Sequence, residues 1–173
     1  MEKLNIENGK SKIKKTFIVG IFIFCILNIP SCLTLSKSAT GVTEEERQQL
    51  IANGYPIAIF DIRSGTPNSV GGVRAWIDWQ NVSEKDIKYV TFNVIAYNRV
   101  NDIAPCTITR NAEAHLRYTG PYLPMHISNG LGFSNVWYNS TIDYMKIIGI
   151  EIIFMDDEII SFDEEQILNM IFE

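Results

Sequence analysis

Side chains able to carry acid–base, nucleophilic or metal chemistry are few in this sequence, and their spacing limits what they can do. His115 and His126 are the two histidines, with no HxH, HExxH or paired cysteines beside either. A zinc site needs three or four convergent ligands, so the pair predicts no metal centre. The GxSxG of a nucleophile elbow and the glycine patterns that cradle phosphate are also missing. The densest acids are Asp156-Asp157-Glu158 and Asp163-Glu164-Glu165. Calcium would use such oxygens, but without EF-hand spacing the first group reads as a polar hairpin turn and the second as acids favouring a helix start. No catalytic residue, metal or cofactor is predicted. Aromatic side chains beside amides are the better candidates for recognition. Trp76 and Trp79 differ by an odd number, so in a strand only one of them can face the core. Trp137-Tyr138 adjoins Asn139-Ser140, and Tyr122 lies in a proline-rich stretch. Trp76, Tyr122, Trp137 and Tyr138 are therefore the candidate binding residues for a carbohydrate or peptide, against the alternative that they fill or cover the core.

Cys32 is the remaining candidate, and its chemistry depends on what precedes it. Five lysines (Lys3, Lys10, Lys12, Lys14, Lys15) lead into the apolar run Phe17–Leu27 and then Asn28-Ile-Pro-Ser-Cys32. This is the order of a secretory signal peptide. The run covers 11 to 14 residues, short of the ~20 that span a hydrocarbon core. Ile29-Pro30-Ser31-Cys32 resembles the lipobox of bacterial lipoproteins, with Pro30 standing where a small residue is usual. The resemblance implies cleavage after residue 31 and a diacylglyceryl-modified Cys32, whose two chains would anchor the protein at ~0.8 kcal/mol per buried CH₂. A plain signal peptide with an incidental cysteine and an uncleaved anchor are the alternatives. Cys106 would then be the one thiol of the folded part, since Cys25 lies in the leader, and no internal disulfide would form.

Charge separates the same two regions. The net charge is −5, yet residues 1–31 hold those five lysines against Glu2 and Glu7; the rest carries 10 basic and 18 acidic residues, a charge of −8. Such a surface repels phosphate backbones and anionic headgroups, so nucleic acid is not an expected partner.

Around these residues the hydrophobic pattern sets the elements. Residues 33–41 are small and polar, as a tether would be. Thr43-Glu-Glu-Glu46 has capping-box spacing and opens a helix ending near Asn53-Gly54. From Ile57 the period becomes two: Val73, Ala75, Ile77 and Trp79, then Val90, Phe92, Val94 and Ala96, alternate with polar or aromatic neighbours. In the run 145–155, Ile148, Ile150, Ile152 and Phe154 share one face of a long β-branched strand. Strands are predicted near 57–63, 72–80, 87–98, 104–109, 112–119, 133–138, 145–155 and 158–161, separated by turn signals, and this spacing suits an antiparallel sandwich rather than a parallel α/β sheet. Ser161-Phe-Asp-Glu164 predicts a second capping box before a helix whose stripe is Ile167, Leu168, Ile171 and Phe172. Asn81-Val-Ser83 and Asn139-Ser-Thr141 match glycosylation acceptors, but turn chemistry explains both.

The expected division is a leader over 1–31, a lipidated tether with a short helix over 32–56, a β domain over 57–162 and a C-terminal helix over 163–173. Residues 57–160 resemble a group of uncharacterised bacterial exported domains. The shared pattern is Asn68-Ser-Val-Gly-Gly-Val73, Ile77-Asp-Trp-Gln-Asn81, Ile87-Lys-Tyr-Val-Thr-Phe92, Tyr118-Thr-Gly-Pro121, Val136-Trp-Tyr-Asn-Ser-Thr-Ile142 and Ile150-Glu-Ile-Ile-Phe-Met-Asp156. The resemblance implies a mainly β fold, an antiparallel immunoglobulin-like β-sandwich of seven to eight strands with short flanking helices. It assigns no catalytic or ligand residue. The function expected is that of a non-enzymatic interaction or structural module in the cell envelope, facing the periplasm or exterior. Its partners would be the membrane, through the anchor, and an envelope protein or glycan. If Cys32 is not acylated the protein would be secreted.

Overall fold

A computed structural model describes residues 40–172, so the leader, Cys32 and the start of the tether lie outside the described residues. Helix α1 (Glu44–Ala52) begins where the spacing places it. The Thr43 hydroxyl accepts from the Glu46 N–H at 3.3 Å, and the Glu46 carboxylate accepts from the Thr43 N–H at 2.9 Å. Gly54 closes the helix at φ +79°, a conformation an L side chain resists. Val42 and Leu50 bury themselves with Ala58 and Val82 in a small apolar cluster.

Among the described residues eight strands form two antiparallel four-stranded sheets. In the first, β1 (Ile57–Ser64) pairs with one edge of β2 (Gly72–Asn81). The other edge of β2 is shared by β5 (Ile127–Ser128), beside Trp79 and Gln80, and β6 (Gly132–Tyr138), beside Gly72 to Trp76. The second sheet runs β4 (Glu113–Tyr122), β3 (Ile87–Asn98), β7 (Ile142–Phe154), β8 (Ile159–Asp163). The alternating residues of β2 and β3 named above are all fully buried, and the two sheets share one core. Each valine, isoleucine or phenylalanine among them contributes ~1.5–3 kcal/mol when withdrawn from water. Trp79 sits at the centre, its ring 4.9 Å from Tyr122, 5.9 Å from Tyr118 and 6.3 Å from Phe92.

Four expectations about elements need correction. Strand β7 does not keep one parity: Asn93 pairs with Gly149 but Val94 with Ile147, so Ile148 is a bulge. Met145 and Ile147 therefore point inward with Ile150, Ile152 and Phe154, and Ile148 is half-buried. Residues 104–109 form a folded loop rather than a strand, because Pro105 has no N–H to give a ladder. Its neighbours Ala104 and Cys106 instead donate to Ala96 O and Asn111 O, and both are buried. The short strand β5 has no alternating pattern and went unpredicted. At the C-terminus the cap is Asp163, whose carboxylate accepts from the Gln166 N–H at 3.0 Å, two residues beyond the predicted Ser161. Helix α2 (Glu164–Ile167) passes into a 3₁₀ turn, Leu168–Met170, which buries Met170 and leaves Leu168 exposed. Ile171 then bridges to Ile59 in parallel, and the Phe172 N–H donates to Ile59 O at 2.8 Å.

Register gives the domain two distinct ends. Ile57, Asn81, Ile87, Tyr122 and Phe154 mark one; Ser64, Asn98, Ile142 and Tyr138 mark the other. The chain joins the sheets at the first, where the Val42 N–H donates to the buried Gln80 side chain at 2.9 Å.

Candidate functional site

The four candidate aromatics do not make one surface. Tyr122 is 8% exposed and packs edge-on against Trp79, and burial raises its phenol pKa above the ordinary value. Trp137 is 1% exposed, and its Nε1–H donates to Ala112 O at 2.8 Å. Both are core residues, and at opposite ends of the domain, which corrects their reading as exposed platform residues. Tyr138 is half-buried; its carbonyl accepts from the Thr107 N–H and hydroxyl, at 2.8 and 2.6 Å. Trp76 alone among the four stands on an outer sheet face, half-exposed, where the Arg74 and Arg63 guanidiniums lie 5.0 and 5.6 Å from its ring centroid. Gly132 lies so close to the indole that a Cβ there would overlap it. Arg63 is held by Asp61 and by the buried Asp78, which also accepts from the Gly130 N–H at 2.8 Å. Trp76 is thus already stacked by the domain's own cations.

The histidines stay apart. His115 is exposed with Nδ1 2.6 Å from Asn93 Oδ1, and His126 packs its ring 5.1 Å from that of Tyr122. Among the described residues no group of three His, Cys, Asp or Glu is arranged to hold a metal. The Asp156–Glu158 cluster is a turn, as its composition suggests. Asp156 and Glu158 grip Lys85 at 2.7 and 2.5 Å, and Asp157 meets Lys88 at 2.8 Å, fastening the β2–β3 turn to the β7–β8 turn. Hydrogen bonds from Lys85 to Asp156 and Glu158 push its pKa up to about 12. Cys106 is buried in the loop before β4. Burial pushes its thiol up, but hydrogen bonds from the Thr109 amide and hydroxyl, and from the Tyr138 and Ile108 amides, prevail and hold it at about 7.

A cleft of about 540 Å³ opens at the Ser64/Asn98/Ile142 end of the domain. Three turns build it: Ser64-Gly-Thr-Pro67 after β1, Asn98-Arg-Val100 after β3 and Ser140-Thr-Ile-Asp143 entering β7. Asn98 folds its turn by accepting from the Val100 and Asp102 amides, both at 3.0 Å, and Asn139 does the same for Thr141 at 2.9 Å. The turn reading of the two acceptor motifs holds, since Asn81 likewise accepts from the Ser83 N–H at 3.0 Å. The Ser64 hydroxyl donates to Asp143 O at 2.9 Å, tying the first sheet to the second at the cleft rim. Arg99 Nε lies 3.1 Å from Asp143 Oδ1. Among the described residues the hydroxyls of Thr66 and Ser140 have no hydrogen-bond partner. No motif in the sequence marks this constellation; the available signal was that three of its turn clusters fall at one end of strands of alternating direction.

Protein-family models, curated proteins and solved structures give no match to this chain.

Proposed function

We propose that the chain is a bacterial envelope lipoprotein, exported by residues 1–31, anchored through an acylated Cys32, whose immunoglobulin-like domain acts by non-covalent recognition. The observation that carries this reading is the order of the first 32 residues: lysines, a short apolar run, then Ile29-Pro30-Ser31-Cys32. Among the described residues no helix is long and apolar enough to cross a membrane. The finer fold assignment draws support from strand order. Taken in chain order, β1-β2-β6 against β4-β3-β7-β8 follows the A-B-E and C′-C-F-G arrangement of immunoglobulin-like sandwiches, with two sheets over a common core. The sheet turns then present their loops at both ends, as recognition domains of this architecture do.

Intact mass and radiolabelled palmitate incorporation test the anchor. The expected product begins at Cys32, carries a diacylglyceryl group and takes up label; Cys32→Ser should abolish the label and release the domain from membranes. A mature N-terminus elsewhere, or label that survives Cys32→Ser, would sink the proposal.

A further inference from the structure

We infer that the cleft at the Ser64/Asn98/Ile142 end binds a neutral polyhydroxylated ligand of the saccharide class. Arg99 and Asp143 would supply a paired donor and acceptor, and Thr66 and Ser140 further hydroxyl contacts. The volume of about 540 Å³ falls within the ~300–1,000 Å³ of small-molecule sites. The charges on its wall choose the ligand's charge. Arg99 and Asp143 form a balanced pair, so an anion that gained the guanidinium would meet the carboxylate, and a cation the reverse. A neutral diol satisfies both at once, since each hydroxyl donates one proton and accepts through two lone pairs. It can therefore donate to Asp143 while accepting from Arg99.

Two further features fit the same class. The Arg99 and Asp143 side chains are 86% and 44% exposed, so their pairing is weak and free to re-aim at a ligand. Val100, 71% exposed, and Pro67 supply aliphatic surface beside these polar groups, matching the C–H faces of a sugar ring. Because the walls come from both sheets, fastened by Ser64 and the Asp143 carbonyl, the site exists only in the folded domain. The inference goes beyond the anchor proposal and holds whether or not Cys32 is acylated.

Calorimetry and saturation-transfer NMR on the full chain in a sugar-free detergent test it. The probes are glucose, galactose, mannose, N-acetylglucosamine, maltose and chitobiose, with sodium sulfate and spermidine as charged competitors. At least one sugar should bind, with affinity reduced tenfold or more by Arg99→Ala and by Asp143→Asn at unchanged circular dichroism. Trp76→Phe should leave it unaltered. Failure of every sugar to bind, binding indifferent to both cleft variants, or preferential binding of sulfate or spermidine would overturn the inference. The mass of the mature N-terminus reports separately on the anchor.

Discussion

Trp76 and Trp79 stand three positions apart on one strand, and their different surroundings follow from that odd spacing. Trp79 is fully buried among Phe92, Tyr118 and Tyr122, so Trp79→Ala should cost ~3–5 kcal/mol, read by denaturant unfolding. Trp76 lies outside, its indole close against Gly132. A methyl group at Gly132 must displace a rigid ring, so Gly132→Ala should cost ~1–3 kcal/mol, as overpacking does. Adding Trp76→Ala should return most of that loss, and a double-mutant cycle showing additivity would remove the contact from the account. Tyr118 links the core to pH. Its hydroxyl lies 3.0 Å from Ile77 O and 3.2 Å from Leu131 O, with one proton to donate, and accepts from the Ile77 N–H at 3.3 Å. Burial first, then the Asp78 charge, push the phenol from 10.0 up to about 12. A raised pKa favours the protonated form in the fold. Its contribution is complete below pH 10 and is lost as pH climbs towards about 12. Melting temperature should therefore fall across that window, and less steeply in Tyr118→Phe. Lys85, raised from 10.5 to about 12, acts in the same direction, and Lys85→Met separates the two.

At the scale of elements, what the sequence made legible was whatever local periodicity controls. The α1 cap and the inward faces of β2 and β3 follow from spacing alone, because capping and alternation are short-range effects. The β7 bulge was not legible, since nothing in the β-branched run Ile147-Ile-Gly-Ile150 singles out Ile148. Only the pairing with β3 decides it. The consequence is measurable: Ile147→Ala should cost ~2–5 kcal/mol, the range for truncating a buried aliphatic, and Ile148→Ala less than half of that. Equal losses would remove the bulge. The same limit explains the aromatics. Tyr122 and Trp137 look like surface residues beside proline and amides, yet the β3–β4 and β2–β6 pairings turn them inward. Edge strands, by contrast, carry their protection openly. Glu113, His115 and Arg117 project from β4 and Pro121 interrupts its ladder, while β8 is five residues long. Charge, proline and brevity each discourage pairing with another chain.

For the whole molecule, the partners that matter are far apart in sequence. Strands β3 and β7 form the longest pairing across more than forty intervening residues, and β6 crosses back to β2. Strand spacing announced two-layer β architecture but could not order the strands, which is set by those distant pairings. The cleft depends on the same closure and has no counterpart in any single segment. The point at which the described chain enters the domain adds a mechanical consequence. The described chain joins the sheets at the Ile57/Asn81 end, the C-terminal segment clips onto Ile59, and the cleft lies at the opposite end of β1. Tension between an anchored N-terminus and a ligand held in the cleft would run parallel to the strands. The β1–β2 hydrogen bonds lie across that direction and would share the load together in shear rather than opening one after another like a zip. With Cys32 acylated and the cleft filled, as proposed, the pull would load the ladder along its stiffest axis, while a pull sideways on an edge strand would meet its bonds singly.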